Sequence, residues 1–221
     1  ESLATVSCDR EDMPFTIGSV GRPINGLQVK IGDNDEILLK GPTITPGYYK
    51  RDAANKEAFT EDGFFRTGDA GYIKNGELFL TDRIKDLFKT SNGKYIAPQM
   101  IESLLLVDKF IDQVVVIANE RKFVSALIVP EFRLVEEWAK DHGIAFESRE
   151  DLCSNAKVHK MMMDRIQTLQ QQLAHYEQIK RFTLIAHHFS MESGELTNTL
   201  KIRRPVIYKN FKEVIDKMYE E

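Results

Sequence analysis

The pair Asn75-Gly76, set between AGYIK and ELFLTD, leaves the backbone few options. Both residues accept the positive φ that a tight two-residue turn demands, so a β-hairpin is expected there. A second hairpin is expected upstream, where LQVKIGDNDEILLKG holds two extended runs joined through Gly-Asp-Asn-Asp. Between them, RDAANKEAFTEDG reads as a short helix capped by Asp52 and closed before Gly63. Residues 1–82 are therefore expected to be mainly β.

After Arg83 the pattern changes. A short strand at 85–89, a turn at 91–94 and a helix from Pro98 to about Leu106 are followed by strands at 112–118 and 123–129 and a helix from Glu131 to Asp141. A long helix is expected over 154–179, then a strand near 182–186 and a terminal amphipathic helix from about Pro205, where proline suits the first turn. The expected fold is α+β: a small mainly-β subdomain over 1–82, a short hinge at 83–86, and an α+β domain over 87–221 with a mixed sheet and flanking helices.

Composition narrows the function classes. A net charge of −4 offers no bulk attraction to nucleic acid or to an anionic membrane, so any anion site must be built locally. The apolar runs VVVIA and ALIV fall far short of the roughly 20 residues that span a bilayer. Cys8 and Cys153 match no metal-ligand spacing and fit free, buried thiols in a reducing cytosol. His187 and His188 lack a spaced ligand partner. The opening at Glu1, without an initiator methionine or an organised first element, suits a piece of a longer chain.

Three stretches carry groups suited to chemistry. Thr67-Gly68-Asp69 alone is ordinary turn chemistry, yet a carboxylate held there would suit two vicinal hydroxyls, and Arg83 follows after one hairpin. KTSNGKY at 89–95 sets backbone N–H groups in a turn between lysines, which is either a plain hairpin turn or a concavity for phosphate or pantetheine. ELTNTLKIRRPVIYKNF carries Lys201, Arg203 and Arg204; such a run is usually a solvated basic face, but a lysine delivered to developing negative charge is the sharper alternative. Met161, Met162, Met163, Ile166, Leu169 and Leu173 read as core, as does Trp138.

Taken in order, DEILLKGPTITPGYYK, GFFRTGDAGYI, TDRIKDLFKTSNGKYIAPQMIE and LTNTLKIRR resemble the adenylate-forming superfamily, and within it the AMP-forming long-chain fatty acyl-CoA synthetases. Four ordered motifs cover nearly the whole chain. The resemblance implies that Asp69 binds the ribose hydroxyls of ATP and the adenylate, that Arg83 contacts ribose or phosphate, and that Lys85 is the hinge. It implies that Lys201 bridges carboxylate and α-phosphate during adenylation, and that Ser91, Asn92, Gly93 and Lys94 lie near the pantetheine channel. Glu1 would correspond to the glutamate that approaches the magnesium of bound ATP. Asp35, Asn92, Asn198 and Leu200 depart from the family's usual Gly, Gly, Pro and Gly.

The resemblance also implies a two-step reaction: fatty acid and Mg-ATP give acyl-AMP, then coenzyme A takes the acyl group. The phosphate-binding loop and large N-terminal lobe of the family are missing from this sequence, so the chain alone is expected to be inactive. ATP, magnesium and coenzyme A are the implied cofactors and co-substrates, with fatty acid as substrate. No nucleic-acid partner is expected, and the expected location is the cytoplasm, with at most peripheral contact with the inner membrane face. An acyl-AMP ligase serving a carrier protein and a non-catalytic module of the same fold stay open as alternatives.

Overall fold

The computed structural model describes residues 1–3, 5–14 and 16–220 and divides them into two compact units, Glu1–Leu87 and Phe88–Glu221. The first unit opens with the short antiparallel pair β1 (Ser7–Cys8) and β2 (Arg22–Pro23). A four-stranded antiparallel sheet follows, with β3 (Gln28–Ile31), β4 (Glu36–Lys40), β5 (Phe65–Lys74) and β6 (Glu77–Arg83) neighbouring one another in chain order. Its core is small: Leu27, Ile37, Leu39 and Leu78 are buried against partly buried Val20, Ile24 and Val29.

Local chemistry explains both hairpins. Asn75 and Gly76 take φ of 54° and 80°, and the Asn75 carbonyl accepts a 2.7 Å hydrogen bond from Arg22. In the upstream turn Asn34 and Asp35 take φ of 55° and 60°, so Asp35 adopts the backbone for which glycine is the usual choice. Helix α1 (Asp52–Ala58) connects β4 to β5. Asp52 is its first helical residue and not its cap: Arg51 holds the capping position without a side-chain hydrogen bond. The carboxylate still lies in the first turn, where the helix dipole favours negative charge.

In the second unit, the hairpin of β7 (Phe88–Lys89) and β8 (Tyr95–Ile96) precedes α2 (Pro98–Leu105). The expected strand at 85–89 is shorter than read, because Ile84–Asp86 forms a single 3-10 turn first. The sheet consists of β9 (Ile111–Ile117), β10 (Val124–Pro130) and β11 (Ile179–Leu184), with β10 central, antiparallel to β9 and parallel to β11. This is the mixed sheet with flanking helices that the sequence suggests.

Every residue of β10 is buried. Val124, Ala126 and Ile128 face a core shared with α2, with α3 (Phe132–Asp141) through Val135 and Ala139, with α4 (Arg149–Ser154) through Leu152, and with α5 (Ala156–Leu169) through Met162 and Ile166. Leu127 and Val129 face a second core with Ile207 of α6 (Arg204–Asn210) and Ile215 of α7 (Lys212–Lys217). Period-2 alternation in one strand thus feeds two helical layers, which is why its sequence reads as an unbroken apolar run.

The long helix expected over 154–179 is shorter, ending at Leu169 with a 3-10 turn over Gln170–Gln172 behind it, and a separate helix, α4, precedes it. Ser148 and Asp151 form a capping box at α4, and the Asn155 side chain accepts hydrogen bonds from the Lys157 and Val158 amides to begin α5 anew. The terminal helix likewise breaks at Phe211, whose φ of −107° lies outside helical values. Among the described residues no helix is long and apolar enough to cross a membrane.

Cys8 is exposed, not buried, since it lies on the rim of the small β1–β2 ribbon. Burial pushes the Cys153 thiol up to about 11, with Glu150 nearby adding to the effect. A raised pKa keeps the thiol protonated, so iodoacetamide at pH 8 should modify Cys8 first; modification of Cys153, followed by peptide mass spectrometry, should quicken about tenfold per pH unit from 8 to 10. Leu127 is fully buried on one face of β10, and Leu127→Ala should cost the second unit about 2–5 kcal/mol. Urea unfolding followed through the sole tryptophan, Trp138 in α3, measures that loss directly.

Candidate functional site

Thr67-Gly68-Asp69 is a bulge inside the ten-residue strand β5 and not the tight turn expected. Leu38 pairs with Arg66 and Glu36 with Ala70, so three residues of β5 stand opposite Ile37 alone. Gly68 takes the strain with φ of 69°. The buried Glu36 carboxylate accepts from the Gly68 amide at 3.2 Å and from Arg66 at 2.8 Å, while the Thr67 hydroxyl donates to the Ile37 carbonyl and accepts from the Asp69 amide. The Thr67 hydroxyl and the Gly68 and Asp69 amides therefore all have partners.

These bonds set the backbone at Asp69. Across the β5–β6 ladder Asp69 stands opposite Arg83, and the Arg83 Nε lies 2.8 Å from one carboxylate oxygen. Both side chains keep contact with solvent, Asp69 at 37% exposure. Lys85 is exposed in the 3-10 turn just beyond β6.

Glu1 is exposed, accepts a 2.9 Å hydrogen bond from the Tyr48 hydroxyl, and raises that phenol's pKa through it. Among the described residues no group of three His, Cys, Asp or Glu gathers that would hold a metal. A lone carboxylate such as Glu1 fits magnesium only in the mode where substrate phosphates and water complete the shell. His188 lies 3.3 Å from Asp112, and His187 stacks on Phe211.

In the second unit, Ser91, Asn92, Gly93 and Lys94 form the exposed tip of the β7–β8 hairpin. The Ser91 amide donates to the Arg121 carbonyl at 3.0 Å, and the Asn92 side-chain amide lies 3.4 Å from the Lys122 carbonyl. Gly93, with φ of 75°, supplies the left-handed residue, so Asn92 has no need of glycine's backbone freedom. The Lys94 ammonium sits 5.5 Å over the Tyr176 ring.

Lys201 lies on a second small hairpin, closed by an antiparallel bridge between Leu196 and Ile202. Thr197 holds it from both sides: its amide donates to the Lys201 carbonyl at 2.8 Å and its hydroxyl accepts from the Lys201 amide at 3.0 Å. The Lys201 side chain is exposed and makes no hydrogen bond or ion pair among the described residues. Leu200, before it, has φ of 59° and is 67% exposed. The basic run is not uniformly solvated as its composition suggests: Arg204 forms a two-pronged ion pair with buried Glu102, at 2.7 and 2.8 Å. Sequence reasoning passes over Glu102, although Pro98, Ile101, Glu102 and Leu105 share the spacing of one helix stripe and an acid on that stripe is a visible anomaly.

The structure thus brings Asp69 to Arg83, and sets the 91–94 tip and Lys201 on separate hairpins of the second unit. The family described as AMP-binding enzyme C-terminal domain matches residues 85–221. Among curated proteins, the long-chain-fatty-acid–CoA ligase FadD15 of Mycobacterium tuberculosis is 32% identical over 93% of this chain and 34% of its own length. Long-chain-fatty-acid–CoA ligase 1 of Homo sapiens is 35% identical over 93% of this chain and 31% of its own. The chain therefore spans about a third of these relatives. The adenylation domain of a carboxylate reductase from Mycobacterium chelonae has a similar structure, with a TM-score of 0.62 and 25% identity over 92% of this chain and 32% of that one.

The strained position before Lys201 gives a direct check. A β-branched residue fits left-handed backbone poorly, so Leu200→Val should destabilise the second unit by about 1 kcal/mol, whereas Leu200→Gly should stay within about 0.5 kcal/mol of the parent because no buried surface is lost. Urea midpoints of the three proteins decide it.

Proposed function

Because the chain belongs to the AMP-binding enzyme family, whose C-terminal domain its residues 85–221 match, we propose that it is the C-terminal part of an AMP-forming long-chain fatty acid–CoA ligase. The observation that carries this reading is the likeness to long-chain-fatty-acid–CoA ligases over 93% of the chain. The side chains that the chemistry would need support it.

In the first step a fatty carboxylate attacks the α-phosphorus of ATP and pyrophosphate leaves, giving acyl-AMP. Asp69, held by the bulge and by Arg83, would accept hydrogen bonds from the two ribose hydroxyls. Arg83 would face the ribose or a neighbouring phosphate. The Lys201 ammonium would stabilise the negative charge that builds up between carboxylate and α-phosphate as they approach; its unpaired, exposed side chain is suited to that task. Glu1 would approach magnesium, which supplies charge neutralisation at the phosphates when bound.

In the second step the thiol of coenzyme A attacks the acyl carbonyl and AMP leaves. The exposed 91–94 tip, with its backbone amides and Lys94, would line the path of the pantetheine arm. Lys85 would serve as the hinge about which the second unit turns between the two steps, since it lies in the 3-10 turn just before the division at Leu87 and Phe88. The chain alone would be inactive, because it spans about a third of its relatives.

The uncut parent protein, given Mg-ATP, coenzyme A and fatty acids of graded length, should form acyl-CoA and AMP. Lys201→Ala should lower acyl-AMP formation about 10²–10³-fold while sparing thioester formation from supplied acyl-AMP. Acyl-AMP without thioester in the parent would favour an acyl-AMP ligase that serves a carrier protein, and absence of any turnover would favour a non-catalytic module.

A further inference from the structure

We propose that the Arg204–Glu102 ion pair is a positioning device that sets where the Lys201 ammonium stands, an inference that rests on the role proposed for Lys201 in adenylation. Glu102 is a fixed point in the fold: its buried carboxylate takes two N–H groups from Arg204, at 2.7 and 2.8 Å, and one from the Val116 amide of β9, at 2.8 Å. Three hydrogen bonds from two directions leave the carboxylate little freedom. The Arg204 guanidinium also lies 5.3 Å from the centre of the Phe88 ring in β7, so its position is defined by β7, α2 and β9 together.

Only Ile202 and Arg203 separate Arg204 from Lys201, and both are tied at the backbone. The Arg203 amide donates to the Glu195 carbonyl at 2.8 Å, and Ile202 bridges to Leu196. The buried Glu195 carboxylate accepts from Ser193 at 2.6 Å and Asn210 at 3.1 Å. The hairpin tip, by contrast, is closed by Thr197 alone and is exposed from Asn198 to Lys201. Its aim is therefore set at its base. Arg204 ties the Lys201 end of this base to α2 and β9 by a two-pronged, charge-assisted contact, while Gln113 of β9 holds the far end through the Phe189 backbone. Displacement of a charge-stabilising group by about 1 Å is enough to cost on the order of 100-fold in rate.

The test uses the uncut parent, Arg204→Lys, and the double variant Glu102→Gln/Arg204→Met. Lysine keeps the charge but not the two-pronged geometry. The double variant leaves no unpaired charge at this position, so it keeps its fold where Arg204→Met alone would strand the buried Glu102 carboxylate. Three quantities are read: fatty-acid-dependent exchange of pyrophosphate into ATP, thioester formation from supplied acyl-AMP and coenzyme A, and hydrogen exchange at the Leu200 and Lys201 amides. Positioning predicts a roughly 100-fold loss of kcat in the first with KM for ATP and fatty acid unchanged, little change in the second, and faster exchange at those amides while β10 stays protected. Equal losses in both half-reactions, or unchanged adenylation, overturn it. If the parent itself forms no acyl-AMP, the functional reading fails, and the exchange measurement alone decides: amides of unaltered protection would overturn the dependence of the hairpin on the pair.

Discussion

Because every side chain from Val124 to Pro130 must be covered from one face or the other, strand β10 dictates how the second unit is assembled. Two helical layers are required, and the chain supplies α2 to α5 for one and α6 with α7 for the other. The antiparallel neighbour β9 can follow closely in sequence, whereas the parallel neighbour β11 demands a crossover, which the helices α3 to α5 provide. The tips of the two hairpins, 91–94 and 198–201, are exposed, while Phe88 and Ile96 anchor the first hairpin in the core. Their positions derive from the sheet behind them.

Buried acids recur behind the segments suited to chemistry. Glu36 satisfies the bulge that presents Asp69, and Glu102 and Glu195 hold the base of the Lys201 hairpin. A carboxylate is costly to bury unless its lone pairs are matched, so each one demands a single arrangement of donors around it. Apolar packing alone tolerates sliding by fractions of an ångström. Directional acceptors do not, which is why acids instead of further leucines stand at these places.

Legibility in the sequence divides along the same line. The hairpins at 28–40 and 70–83 were legible because Asn34, Asp35, Asn75 and Gly76 impose their backbone angles locally, and β9 and β10 because runs such as VVVIA are intelligible only as doubly covered strands. The bulge at Thr67-Gly68-Asp69 was not, since it depends on Glu36 in another strand. Helix α4 went unread, and its end depends on Asn155 capping α5 instead of continuing, a competition that periodicity does not register. Of the candidate site, the partnership of Asp69 and Arg83 is a matter of hairpin register, while the pairing of Arg204 with Glu102 joins residues 102 positions apart and leaves only the misplaced acid on α2 as its trace.

That separation has a consequence for biosynthesis. As the chain leaves the ribosome, Glu102 emerges long before the arginine that matches it, and at typical elongation rates the interval is roughly 5–20 s. Throughout it the carboxylate must stay hydrated, which holds α2 away from β9 or keeps water between them. Closure of the sheet's second layer awaits the same late segment, because Ile207 and Ile215 arrive with it. The nascent domain cannot cover this face of β9 and β10 until α6 and α7 are free, so Val115, Ile117, Leu127 and Val129 stay open to water through that interval.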